Sequence, residues 1–464
     1  MFIFDGFFTW LTISVYAFHV LELGFSPLFL AVAYTSGELC RIIVSVWSRY
    51  YAWYIPVFVM TAAVCVTIPA AIDDTTQISM YCLALQKSGE LLPFNLVQVG
   101  LLVERKKTNM IDRQYQSQTV TSICTGCWVL GYSVGSLVCG LVYEFVNIKP
   151  LLLIQIFGFA CTGLFHVYLR LNGYSFQKEN KKTAAAVLDA KTKTAITKTT
   201  NLKQFPAVLW CFVFLPLFFQ GAPIAIFMVF VKLYQQRFGI GPTVSCFVQM
   251  IGDVLGSLWC IAKGQLRTIY KTKKHTNRRV GTLANLVKQL SRVWIFRSPR
   301  DVSFCLFGLS IAMFAMCTNS LPVVIVGHIT TGALYVFISQ SASNGLLIYA
   351  QDPRYDVSPH RVLNMYQMIC TVSIKVVSSF VSPFLLTVDL NLALASGATV
   401  AFAGSLVVAV VFLFRIKNRF HSRGQSYTRL SKSVYKLEAE LWDSEIESKT
   451  QIEMITPSPP SPSK

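Results

Sequence analysis

The sequence predicts an all-α polytopic membrane protein with twelve transmembrane helices in two six-helix halves. Three observations carry this. The 464 residues are 53% hydrophobic and only 14% charged, against about 25% charged in a soluble domain. Mostly apolar windows of about 18 to 25 residues, the length a bilayer requires, recur from end to end. The 41 Lys and Arg residues concentrate in every second connection, as orientation in a membrane demands. Uniformly apolar segments of this length exclude a barrel, whose strands are short and alternating. Lipid offers no partner to an open backbone, so the segments are helices.

The first six spans read 2–22, 25–47, 55–72, 77–103, 119–143 and 150–171, and the second six read 206–232, 240–264, 302–318, 321–348, 362–388 and 390–414. The domain reading follows: an N-terminal half over 1–171, a Lys/Thr/Ala-rich linker over 172–205, a C-terminal half over 206–414 with a loop at 265–301, and a hydrophilic tail over 415–464. The first run begins at Phe2 with no basic residue before it and outlasts a secretory apolar region. It reads as a retained helix, not a cleaved signal. A start this abrupt also fits a chain with a few further residues upstream.

Placing both termini in the cytoplasm puts 35 of the 41 basic residues on the inner side. Lys149, Arg237 and Lys232 lie at the outer side, and Arg41, Lys87 and Lys375 fall within spans. The net charge of +19 is then a consequence of topology and of the anionic inner leaflet. No basic folded domain is left for nucleic acid, so none is expected as a partner. No Asn-x-Ser/Thr sequon occurs and the outer loops are short, which argues against an adhesion molecule or a receptor with an ectodomain. Twelve spans argue against a seven-helix receptor.

Several motifs point to a known family. Span five reads Gly131-Tyr-Ser-Val-Gly135-Ser-Leu-Val-Cys-Gly140, preceded by Asp112-Arg113. Span eight runs from Gly239-Ile-Gly-Pro242 through Gly252-Asp-Val-Leu-Gly256-Ser-Leu to Lys263-Gly264. Span ten contains Gly327-His328-Ile-Thr-Thr-Gly332, and span two is followed by Ser45-Val-Trp-Ser48-Arg49. With the six-plus-six arrangement around a basic loop, residues 2–414 resemble the major facilitator superfamily. Span five lacks the usual proline, His328 stands where the family carries Arg, and the loop after span two has lost its Gly and Asp. The resemblance implies a solute site between the halves near mid-membrane, with spans three, six, nine and twelve as outer supports. It implies no substrate.

Ionisable groups at bilayer depth are functional candidates because they are costly there. Glu38 and Arg41 share a face of span two, and Lys87 and Glu90 share a face of span four, each pair three residues apart. Mutual neutralisation during insertion is one reading of each pair, and a polar cavity wall is the other. Asp253 has no charge nearby in span eight. It is the first candidate for taking up and releasing a proton, with the alternative that it bonds hydroxyls or backbone of span five. Lys375 is alone in span eleven, and the resemblance brings spans two and eleven together. A Glu38–Lys375 bridge between halves is therefore expected, either breaking in one state or purely structural. His328 ordinarily titrates near neutrality, but the simpler reading is a hydrogen-bonded polar group. Substrate and proton pathway residues are accordingly Lys87, Glu90, Asp253 and Lys375, with Glu38, Arg41 and His328 as gate or surround.

Pro216, Gln220 and Pro223 mark span seven as kinked. Cys124-Thr-Gly-Cys127 has redox spacing, but neither thiol has a basic neighbour, so packing is the better reading. Residues 281–297 place Leu283, Leu286, Val287, Leu290, Val293 and Trp294 at helical spacing among Lys288, Arg292 and Arg297, a basic amphipathic helix for membrane lipid or a partner helix. The Pro/Ser-rich end is expected to be disordered. No metal-ligand set, nucleophile elbow or phosphate loop occurs, so no catalytic residue, metal or cofactor is expected and the chain reads as no enzyme. The expectation is a monomeric secondary transporter, symporter or antiporter, of a small polar organic solute, with proton coupling. The rivals are an uncoupled facilitator, a transporter-shaped sensor that has lost transport and, least supported, a membrane-embedded enzyme. The last would need clustered His, Asp or Cys at one membrane face.

Overall fold

The apolar segments form helices wherever the computed structural model describes the chain, over residues 2–47, 55–86, 110–171, 207–275, 299–350 and 389–422. In chain order these are α1 (Phe2–Trp10), α2 (Ile13–Glu22), α3 (Pro27–Trp47), α4 (Ile55–Ile72), α5 (Gln77–Leu85), α6 (Met110–Phe145), α7 (Lys149–Leu171), α8 (Ala207–Phe214), α9 (Pro216–Phe219), α10 (Gly221–Phe238), α11 (Pro242–His275), α12 (Pro299–Ala315), α13 (Leu321–Ala350) and α14 (Leu390–Ser422). Among the described residues, Phe2–Glu22, Thr119–Phe145, Lys149–Tyr168, Pro242–Ala262, Leu321–Ser343 and Leu390–Val411 are long and apolar enough to cross a membrane. The linker, the amphipathic segment 281–297, span eleven, the second half of span four and the tail beyond 422 lie outside the described residues. Two compact units are present, Met1–Val408 and Ala409–Lys464, and the second is described only over 409–422, which are helical.

Span one is broken at Leu11–Thr12, which divides α1 from α2. Gln155 of α7 reaches in at the break: its Nε2 donates to Phe8 O at 2.6 Å and its Oε1 accepts from Thr12 Oγ1 at 3.1 Å. A freed backbone carbonyl in an apolar medium requires such a substitute donor. Span seven is broken twice, at Leu215 and Gln220, into α8, α9 and α10. Pro216 opens α9 and has no N–H for the preceding turn, so the kink expected from sequence is present. Helix α10 ends on Gly239 at φ 64°, whose N–H bonds Gln235 O while Ile240 N–H bonds Tyr234 O at 3.2 Å. That left-handed closure suits glycine.

Large apolar side chains stay exposed on Phe58 and Ile72 of α4, Phe157 and Leu164 of α7, Phe304 and Ile311 of α12, and Val400 and Leu406 of α14. In water such a belt would be a liability, and in lipid it is ordinary surface. These lie on spans three, six, nine and twelve, and other spans carry such side chains as well, among them Val134 of α6, Leu258 of α11 and Val326 of α13.

Helices α1 and α6 meet backbone to backbone. A Cβ on Gly131 would lie 2.0 Å from Ile3 O, and one on Gly6 would lie 2.1 Å from Trp128 O. Small residues permit this approach, which supplies the packing that holds helices together in lipid. Among the described residues the longest seam joins α6 to α11. It runs from Gly126 against Ile261 to Gly140 against Cys246 and Pro242 O. At its end Glu144 Oε2 accepts from Thr243 N–H at 2.7 Å, at the open N-terminus of α11. Glu144 is exposed, so the clasp is modest: Glu144→Ala is expected to cost about 0.5–1 kcal/mol, read as a melting-temperature drop of a few degrees.

Lys149 and Arg237, the basic residues of the connections expected on the outer side, both have partners. Lys149 Nζ pairs with Asp74 at 3.3 Å. Arg237 donates to Met316 O at 2.9 Å and Thr318 O at 3.2 Å, and also to Asn391. The same rim carries a chain in which Tyr143 O–H donates to Glu22 Oε2 at 2.6 Å and His19 Nδ1 meets the Tyr143 oxygen at 3.1 Å. In the α4–α5 turn, Asp73 accepts from Thr75 N–H at 3.0 Å and Thr75 Oγ1 at 2.6 Å. These bonds hold its carboxyl below the usual range.

Candidate functional site

Asp253 sits on α11 where α6 and α13 close over it, and it is fully buried. The crowding has a local cause in the sequence. Gly252 lies under α13, where an added Cβ would meet Ile329 O at 2.6 Å. Gly332 of α13 in turn leaves the space that the Asp253 carboxyl fills, since a Cβ there would lie 3.1 Å from Oδ1. The two glycine motifs read from spans eight and ten thus meet each other around one carboxylate.

Asp253 is the end of a buried chain of polar side chains. Gln249, one turn earlier on α11, donates from Nε2 to Asp253 Oδ2 at 2.5 Å. Its Oε1 meets His328 Nε2 of α13 at 2.5 Å. His328 Nδ1 meets the Tyr234 hydroxyl of α10 at 3.4 Å, and the two rings stack with centroids 5.8 Å apart. One proton arrangement satisfies all three contacts: Tyr234 O–H donates to His328 Nδ1, His328 Nε2–H donates to Gln249 Oε1, and the Gln249 amide donates to Asp253. The amide orientation and the tautomer follow from the network. The chain therefore runs from the broken seventh span to the carboxylate in one direction.

The other carboxylate oxygen, Oδ1, lies against Gly332 of α13. Tyr132 of α6 lies with its hydroxyl toward Asp253 and the Gln249 amide. Asp253 Oδ1 and Tyr132 Oη are both buried without a hydrogen-bond partner among the described residues. Tyr132 is held by Trp10 at 5.0 Å and Trp128 at 5.5 Å between ring centroids. Trp128 Nε1 donates to Asp5 Oδ2 of α1 at 3.1 Å.

Of the residues chosen from sequence, Asp253 and His328 are brought into one network, both fully enclosed. Glu38 is buried on α3. The side chain of Arg41 and the residues Lys87, Glu90 and Lys375 lie outside the described residues, and with them the expected Glu38–Lys375 bridge. His328 is hydrogen-bonded, and the Tyr132 hydroxyl of span five stands beside Asp253. Gln249, Tyr234, Tyr132 and Asp5 escaped the sequence reading. Gln249 had one available signal, its spacing of four from Asp253, which puts both on one helix face.

Further amide atoms, on Gln86, Gln220 and Gln340, are buried without a partner among the described residues. Neither Nε2 nor Oε1 of Gln86, just past α5, has a hydrogen-bond partner among the described residues, and the same holds for Oε1 of Gln220 at the α9–α10 break. Unpaired buried amides are costly, and a polar solute would satisfy them. Filling the Asp253 niche tests its tightness. Gly332→Val is expected to press on Asp253 Oδ1 and Gly252, costing about 1–3 kcal/mol and changing the pH dependence of stability, read by thermal unfolding at several pH values.

No protein-family model matches the chain, and no curated protein matches it by sequence. Solved structures do match. The nucleoside transporter NupG aligns at TM-score 0.51 and 14% identity, covering 89% of this chain and 97% of its own. A mutant of NupG aligns at 0.52 and 15% over the same shares. The human organic anion transporter MFSD10 (TETRAN) aligns at 0.50 and 11%, covering 88% of this chain and 98% of its own. The chain thus has the major facilitator fold implied by its motifs, and it is an integral, multi-pass membrane protein.

Proposed function

We propose that this chain is a secondary transporter moving a small polar organic solute by alternating access, with proton coupling through Asp253. The observation that carries the proposal is the fully buried Asp253 carboxyl, held by Gln249 on one oxygen and with the other oxygen lacking a partner among the described residues. An ionisable group enclosed at membrane depth, with one protonatable atom unengaged, has the properties a proton carrier needs. The fold is shared with a transporter of nucleosides and a transporter of organic anions, which supports a small organic cargo. Opposite charges along the expected pathway, Lys87, Glu90 and Lys375, favour an anionic or zwitterionic solute. The unsatisfied amides of Gln86 and Gln220 add neutral contacts. Glu38, Arg41 and His328 form the surround. In this reading the halves are 1–171 and 206–414, both termini are cytoplasmic, 281–297 lies on the inner leaflet, and the monomer is the working unit.

A thermal-shift screen of purified protein at two pH values tests the reading, because a ligand that binds only the folded state raises the melting temperature. Organic anions, amino acids, nucleosides, sugars and lipophilic cations are the compounds. The expected result is a pH-dependent shift with a charged solute, lost in Lys375→Ala or Glu90→Gln. That solute should then enter proteoliposomes faster under an imposed pH gradient. Stabilisation only by neutral solutes or lipophilic cations would overturn the charged pathway, and pH-independent uptake would leave an uncoupled facilitator.

A further inference from the structure

We infer that Tyr132 reads the protonation state of Asp253 across the α6–α11 seam, and that Gln249, His328 and Tyr234 are positioning residues that leave the carboxylate a single atom for its proton. The inference rests on the proposed role of Asp253 as a proton carrier and adds how the proton would act on the helices.

The chain from Tyr234 to Asp253 runs donor to acceptor at each step, ending with the Gln249 amide on Oδ2. Reversing it would require a different His328 tautomer and a turned amide at once. Oδ2 is therefore kept as an acceptor in both charge states of Asp253, and a proton goes to Oδ1. The titratable groups facing this assembly are Tyr132 from α6, His328 from α13 and Tyr234 from α10, with Tyr335 of α13 acting on Tyr132. Among the described residues, only Tyr132 brings an unpartnered hydroxyl to Asp253.

Tyr132 Oη and Asp253 Oδ1 are each buried and each lack a partner among the described residues. One bond between them satisfies both, so a small approach of α6 and α11 is favoured. When Asp253 is charged, Tyr132 O–H donates to Oδ1, a charge-assisted bond. When Oδ1 has taken up one proton, Oδ1–H donates to the Tyr132 oxygen, a neutral bond of roughly half the strength. Tyr132 keeps its own proton throughout, and only the direction of the bond reverses. Deprotonation thus tightens the seam and protonation loosens it. The glycines that let α6 and α11 approach, Gly126 and Gly140, lie on either side of Tyr132 along the same helix.

Amide hydrogen exchange of the full-length protein in detergent, read by mass spectrometry over 127–137 and 249–257, tests this. Wild type and Tyr132→Phe are compared at the same pH, so intrinsic exchange cancels. Phe keeps the aromatic ring between Trp10 and Trp128. At pH 8 the variant should exchange about tenfold faster across the seam, through loss of a charge-assisted bond. At pH 5.5 the difference should fall to about threefold, through loss of a neutral bond of roughly half that strength. In an Asp253→Asn background Tyr132→Phe should give the same small increase, about threefold, at both pH values, because the Asn amide donates to the Tyr132 oxygen whatever the pH. Equal exchange of wild type and Tyr132→Phe at both pH values overturns the inference, as does an equal increase at both, which is the mark of a merely structural hydroxyl. Proton uptake in proteoliposomes is measured separately. A seam difference without proton-coupled transport would overturn the coupling reading alone, and coupled transport without a seam difference would overturn the role of Tyr132 alone.

Discussion

In proteoliposomes the Asp253→Asn protein is expected to lose all proton-driven accumulation of solute. A gradient of two pH units stores about 2.7 kcal/mol per proton, a limit of ~100-fold accumulation for one proton per solute. The variant's ratio should fall to one at every gradient imposed, and its uptake should no longer vary with pH. The substitution conserves shape: the Asn carbonyl still accepts from Gln249, and its amide takes the place of Oδ1 beside Tyr132. The variant should therefore purify as a monodisperse protein, which separates loss of coupling from loss of fold. Retained accumulation in Asp253→Asn would place the coupling group elsewhere in the chain.

Gly131→Ala is expected to be one of the most damaging small substitutions in the molecule. Helix propensity favours Ala over Gly by about 1 kcal/mol, so an exposed position would gain stability. Here the added Cβ would lie 2.0 Å from Ile3 O, far inside van der Waals contact, and the atom it meets is backbone. Helix α1 has to move away as a unit. Gly135 against Phe7 O and the Trp128–Asp5 bond at 3.1 Å would move with it. Overpacking at about 1–3 kcal/mol or more outweighs the propensity gain. A melting temperature lowered by several degrees and a reduced monodisperse yield are the expected readings. An unchanged or raised melting temperature would mean that α1 adjusts freely along α6.

Both predictions concern residues that the sequence marked for different reasons. Gly131 belonged to a glycine pattern whose partner was invisible, because a small residue says only that something approaches closely. Asp253 was marked by its charge within an apolar run, which is costly in any membrane fold. The breaks of span seven were legible from Pro216 because the missing N–H is a property of the residue itself. The break of span one at Leu11–Thr12 was not, since its stabilising group, Gln155, is 143 residues from Thr12. Asp5 was passed over at the start of its span, and its burial depends on Trp128 of α6.

What the sequence alone determined is what one segment and a bilayer decide between them: which runs are helices and which ionisable groups fall within them, with charge giving the expected orientation. Apolar length and Lys/Arg placement are local quantities, so no neighbour is needed to read them. What only the tertiary structure decided is who meets whom. Gln249, His328, Tyr234 and Tyr132 come from four helices and carry no common sequence signal. They become a network only when Gly252 and Gly332 bring α11 and α13 within van der Waals distance and the α6–α11 seam sets Tyr132 opposite the carboxylate. The physical reason is that a buried polar atom must find its partner wherever packing has placed one, and packing is a property of the whole chain.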